Sequence, residues 1–336
     1  MVTPEAPERE FDQSHERQTE EPDALVTEEQ LNAALKAKNP NFPGGAQTSA
    51  EQGRIVAVGI QDPAVEDISP LAGLPLKELY LTGCHVVDLS PLRGMPLTML
   101  HLEETGVGEI EALQGMPLVG LYLRGTKVDD LGALAGMKLN ELDLFGCPVT
   151  DLSPLGGMPL IGLYLEESGV TDLGPLQGMP LQVLRLNDTK VEDIGALEGS
   201  PVRELYLFKT RVRDLSPLSR CTQLRSLWLN HTPVSDVTPL QGLALESLTL
   251  EGTRVSDLGP LKTMPLRRLH IAESEVTDLT PLQWLRLERL IFTPNRIKKG
   301  IEYARQMPTL GQIGVTLEGR MAPAPFWARY DAGEFK

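Results

Sequence analysis

The stretch DLSPLGGMPLIGLYLEESGVTDLGPLQGMPL, residues 151–181, decides how this chain folds. DLSPLGGMPL at 151–160 returns as DLGPLQGMPL at 172–181. Outward from there the same acid-aliphatic step recurs at Asp67-Ile68, Asp88-Leu89, Glu109-Ile110 and Asp130-Leu131, and again from Asp193-Ile194 through Asp214-Leu215, Asp236-Val237 and Asp257-Leu258 to Asp278-Leu279. Nine of the ten intervals are 21 residues; the tenth is 22, with its extra residue near Ser219-Arg220-Cys221-Thr222. The unit reads L-x-x-L-x-L-x-x-[TC]-x-V-x-D-L-x-P-L-x-G-M-P. In Leu79-Tyr80-Leu81 the leucines fall on one face of a short strand and the tyrosine on the other. One unit cannot cover its own leucines. Stacked neighbours can, with parallel strands about 4.8 Å apart.

A fixed period in the range of 20–29 residues with L-x-x-L-x-L is the signature of a leucine-rich repeat. The fold predicted is α/β: a right-handed curved solenoid of about eleven units over 65–295. A parallel β-sheet lines its concave face and short 3₁₀ or turn segments its convex face. Pro fills eight of the eleven sites after D-L-x, where its fixed φ suits a tight turn. The position after the strand holds Cys84, Thr105, Thr126, Cys147, Ser168, Thr189, Thr210, Thr232, Thr253 and Ser274. A small hydroxyl or thiol there can face inward and satisfy backbone groups in the bend. The acidic column itself is read as capping the turn that follows it. One carboxylate per unit supplies too few oxygens for calcium.

Both ends read as caps, which a repeat array needs to hide its open core. Residues 27–64 hold a helix opened by a Thr27/Gln30 capping box, with Leu31, Ala34 and Leu35 on one face, and then a first strand at Ile55, Val56 and Val58. Residues 296–336 read as an α/β cap: a helix from Arg296 to Met307 stopped by Pro308, a strand at Gln312 to Val315, and Phe326 and Trp327 over the open end. Residues 1–26 form an acidic tail. The first 30 residues hold ten acids against Arg9 and Arg17, a net −8, with almost no apolar periodicity, which predicts disorder.

Over all 336 residues, 46 Asp and Glu outweigh 31 Lys and Arg, a net −15 that argues against nucleic-acid binding. No apolar run approaches a membrane span and no basic-then-apolar leader opens the chain; the compartment and oligomeric state are not read from the sequence, and cytoplasmic and monomeric are taken as defaults. Three cysteines make no disulfide scaffold, and there is no CxxC, P-loop, G-x-S-x-G or H-E-x-x-H. No cofactor, metal or catalytic group is expected.

The units at 151–181 resemble the leucine-rich repeats of planctomycete bacteria, in which GMPL-containing units are common and are sometimes appended to protein kinases. They also resemble the D-I-S-P-L repeats of internalins, whose units are typically one residue longer. The flanks EEQLNAALKAKNPNF (28–42) and APFWARYDAG (324–333) are similar too. The resemblance implies a non-enzymatic binding module; kinase motifs are absent from this sequence.

Candidate contact residues follow from the strand placement. The central column between the two leucines of L-x-L runs Tyr80, His101, Tyr122, Asp143, Tyr164, Arg185, Tyr206, Trp228, Thr249, His270 and Ile291. Five of these eleven are Tyr or Trp, from a chain with six Tyr and three Trp. The next column adds Phe145 and Phe208. Aromatics on a rigid sheet are raw material for interaction hot spots. Tyr80, Tyr122, Phe145, Tyr164, Arg185, Tyr206, Phe208, Trp228 and His270 are therefore the expected contacts for a protein partner. Glu78, Glu103, Glu104, Glu141, Asp143, Glu166 and Glu167 make the first half of the face acidic. Arg225, Arg267, Arg268 and Arg289 make the far end basic. Three other readings stay open: a carbohydrate or cell-surface receptor, a structural spacer, and a stripe inherited by duplication of a two-repeat unit, since Tyr recurs every 42 residues.

Overall fold

The computed structural model describes residues 26–335; the acidic stretch 1–25 lies outside the described residues. Helix α1 (Glu28–Lys38) starts at Thr27, whose hydroxyl accepts from the Gln30 N–H while the Gln30 side chain accepts from the Thr27 N–H. Leu31 and Leu35 are buried beneath it, whereas Ala34 is exposed. Buried Asn39 ends the helix and ties it to the array. Its Nδ2 donates to the Leu35 and Asp67 carbonyls, and its Oδ1 accepts from the Glu66 and Asp67 amides.

The first strand is a hairpin, not the single strand the apolar pattern suggested. Strand β1 (Gln47–Glu51) pairs antiparallel with β2 (Arg54–Gly59). The two-residue turn between them has φ of 50° at Gln52 and 80° at Gly53, the mirror-image turn that matches strand twist. Exposed, polar β1 carries no apolar alternation to announce it; its pairing covers the edge of β2.

From β2 onward the sheet is parallel and unbroken. Eleven three-residue strands follow in sequence order, from β3 (Glu78–Tyr80) to β13 (Arg289–Ile291), then β14 (Gln312–Gly314). One 3₁₀ segment follows each strand from β2 to β12, from Ser69–Leu71 to Thr280–Trp284. The leucines of L-x-L (Leu163 and Leu165, for example) and of the 3₁₀ turn (Leu155) are fully buried, so every coil contributes the same layers to one continuous core. Ten residues of the acidic column, Asp67 to Asp278 without Glu109, each accept the N–H two residues on, as in Ser153 N to Asp151 Oδ1 at 2.8 Å. The carboxylates thus serve the turn. Among the described residues no group of three or more His, Cys, Asp or Glu is placed to hold a metal.

The small ladder is buried throughout. Thr105, Thr126, Thr189, Thr210, Thr232, Thr253 and Ser274 each donate to the carbonyl three residues back at 2.6–2.8 Å. The thiols of Cys84 and Cys147 reach instead to the coil before, at Ile60 O and Leu123 O. The 22-residue unit absorbs its extra residue in a five-residue 3₁₀ turn, Ser216–Arg220.

The C-terminal cap differs from its sequence reading. The expected helix shrinks to α2 (Ile301–Arg305), because Gly300 stands at φ 82° and residues 297–299, after a 3₁₀ turn at Pro294–Arg296, leave helical geometry, with Lys299 bridged to Asp278. A further helix, α3 (Pro323–Asp331), sets Phe326 and Trp327 over the end of the core, with Phe292 and Phe326 rings 5.8 Å apart. Among the described residues no helix is long and apolar enough to cross a membrane.

Candidate binding surface

Parallel pairing in perfect register brings the central column together. Tyr80 pairs with His101, His101 with Tyr122, Asp143 with Tyr164, Arg185 with Tyr206 and Tyr206 with Trp228. A 21-residue step equals one strand spacing, which is also a ring-stacking distance. The rings accordingly stack: Tyr80 on His101 at 4.7 Å, His101 on Tyr122 at 4.2 Å, and Tyr206 on Trp228 at 3.8 Å with planes 5° apart. The Arg185 guanidinium lies over Tyr164 at 5.1 Å and over Tyr206 at 4.7 Å, so it joins two rings that are two units apart. Tyr80 and Tyr206 hydroxyls donate to Glu78 and Glu204 on their own strands. Burial, then the hydrogen bond to Glu204, pushes the Tyr206 phenol up to about 12.

The column therefore has two stacked segments, 80–122 and 164–228, divided by Asp143. This side chain is buried. Its carboxylate accepts the Phe145 N–H at 2.9 Å and the Arg124 Nε at 3.3 Å, and Arg124 also covers the Phe145 ring at 4.4 Å. Phe208 is half-buried, flanked by Lys209 and, edge-on, by His231. Of the nine nominated residues, eight are half-buried on this face, with edges open to solvent. His270 stands in the column but is only 8% exposed, and together with Ile291 it lines one hollow with segment 316–318 of the C-terminal cap.

The acidic half is less solvated than its composition implied. Glu166 is buried, and burial raises its carboxyl above the usual range despite Arg185 at 3.8 Å. Neither its Oε2 nor the Arg185 Nε has a hydrogen-bond partner. Burial raises Glu141 likewise. His101 and Arg124 were not among the nominated contacts, yet both hold the surface in place. The 21-residue spacing of Tyr80, His101 and Tyr122 was the signal for the first.

At the far end the sheet and the cap enclose a hollow of about 380 Å³, lined by Trp228, Glu251, Arg268, His270, Arg289 and residues 316–318. Burial holds the His270 imidazole below its ordinary value, against the opposing pull of Glu251, Glu318 and Glu273.

Residues 202–242 match the family model for leucine-rich repeats in two copies. No curated protein matches the chain. Among solved structures, an internalin of Listeria monocytogenes aligns over 84% of this chain and 87% of its own, with 24% identity and a TM-score of 0.67. The ectodomain of the Arabidopsis thaliana receptor kinase GASSHO1/SCHENGEN3, in complex with CASPARIAN STRIP INTEGRITY FACTOR 2, aligns over 83% of this chain and 38% of its own, at 19% identity and a TM-score of 0.63. A plant peptide hormone receptor, RGFR1 in complex with RGF2, aligns over 82% and 48%, at 18% identity and a TM-score of 0.62. Repeat period, sheet topology and these likenesses agree: the fold is a leucine-rich-repeat solenoid.

Proposed function

We propose that this protein is a binding module that holds a polypeptide partner along its concave sheet, with Tyr122, Phe145, Tyr164, Tyr206, Phe208 and Trp228 as anchors. The observation that carries this reading is the stack. Each ring is fixed by a neighbour on the adjacent strand, so little side-chain entropy remains to be lost when a partner arrives. The stack also favours a polypeptide over a sugar. Sugars stack on ring faces, and both faces of His101 and of Tyr206 are already covered, leaving ring edges for contact. Two solenoids of like fold are solved with their ligands, which agrees with a receptor role.

The test is affinity for the partner captured from the native cell. Tyr164→Ala, Tyr206→Ala and Trp228→Ala are each expected to lose about 2 kcal/mol, roughly 30-fold, with the thermal transition retained. Trp284→Ala, on the convex side, is expected to lose nothing. Unchanged affinity in all three folded concave variants would refute the reading.

A further inference from the structure

We propose that the hollow at the C-terminal end of the concave face receives an acidic side chain of a polypeptide partner, its carboxylate seated between Arg268 and Arg289. This rests on the binding-module reading and adds the chemistry and the polarity of the partner.

Charge is the first ground. Arg268 and Arg289 are register neighbours on adjacent strands, and like charges placed so repel. Neither has a carboxylate within ion-pair distance among the described residues, and neither does nearby Arg320. Arg289 gives its Nε to Gln312 at 2.7 Å and Arg320 gives a guanidinium N–H to the Leu317 carbonyl. Of the other arginines of this end, Arg267 is matched with Glu288, Arg305 with Asp331 and Arg329 with Glu334, while Arg296 donates to the Glu273 and Ser274 carbonyls. Burial and the two neighbouring guanidinium groups depress the Arg289 pKa, in line with uncompensated crowding. A planar carboxylate matches the guanidinium fork and relieves this repulsion.

Shape and polarity are the second ground. The His270 imidazole lines the hollow, is 8% exposed, and its Nε2 has no hydrogen-bond partner, standing 3.7 Å from the Glu251 carboxylate. A buried polar atom left without a partner costs stability. Glu251 and Glu318 on the same lining disfavour a doubly charged phosphate but can accept backbone N–H groups of a peptide. Trp228 bounds the hollow with one ring face covered by Tyr206, and Leu317 on the facing segment is 39% exposed. An acidic residue flanked by apolar ones fits this lining.

The probe is a capped pentapeptide with Glu between two Leu residues, and a twin with Gln in place of Glu. Binding is read from the three Trp indole N–H signals of the full chain in a nuclear magnetic resonance titration, with Trp228 assigned by Trp228→Phe. The Glu peptide is expected to shift the Trp228 signal saturably while Trp284 stays still. The Gln twin, and the Glu peptide on Arg268→Gln, are each expected to bind at least about tenfold more weakly, one charge-assisted contact being worth that much. Arg268→Lys, which keeps the charge but not the fork, should fall between. Equal binding of the twins, full binding by Arg268→Gln, displacement by equimolar inorganic phosphate, or no shift of Trp228 would each overturn the proposal. If the peptide fails here while Tyr164→Ala and Tyr206→Ala still lose the native partner, only this inference falls.

Discussion

Each coil leaves its strand through one residue in the left-handed region of backbone space. Gly83, Gly125, Gly146 and Gly252 adopt it without strain, but Glu104, Glu167, Asp188, Lys209, His231 and Glu273 also stand there at φ of 54–59°. Glu167 is exposed and makes no ion pair among the described residues, so Glu167→Gly should raise stability by about 0.5–1 kcal/mol in a denaturant titration. A second irregularity is Ser200, which sits where other units bury Met158 or Met179; its hydroxyl is buried with no partner. Ser200→Met should fill that layer and add about 1 kcal/mol. The consensus made the ladder residues legible: Thr210 lies where the period puts it. It did not reveal that Thr donates within its own coil while Cys reaches back to the previous one. That difference arises from side-chain reach, not from sequence position.

Elements were legible where a local pattern wrote them. The capping box fixed α1, and the L-x-L alternation fixed β3 to β13. The hairpin strand β1 and the short α2 were not, because one is defined only by pairing and the other by a single glycine at positive φ. Burial of His270 was hidden for the same reason. Residues 316–318 line the same hollow from about 46 positions away in the chain, a proximity no repeat period encodes. This burial has a consequence in solution. A histidine whose folded pKa lies below the unfolded value of about 6.5 resists protonation in the fold, so its stabilising effect is full above that value and falls as pH drops through it. The stability of wild type minus His270→Gln should therefore fall as pH drops below about 6.5; a flat difference would mean the ring is solvated. At the helix end, Asn39→Ala removes four hydrogen bonds from buried and partly buried backbone and should cost about 2–3 kcal/mol in thermal or urea unfolding.

Across the whole molecule, stacking of near-identical coils does two things at once. It builds a core that no single unit could close, and it places every 21st side chain one strand spacing from the last. A sequence rule about packing thereby becomes a surface of ordered, touching rings, with acids toward one end and unmatched arginines at the other. Hydroxyl-radical footprinting of the protein bound to its native partner tests that claim most directly, because it reports each aromatic side chain of the wild-type sequence without any substitution. Protection of Tyr122, Tyr164, Tyr206, Phe208 and Trp228, with Trp284 (67% exposed on the convex side) oxidised as fast as in the free protein, is the predicted pattern. Protection of Trp284 with those five oxidised at their free rates would contradict it.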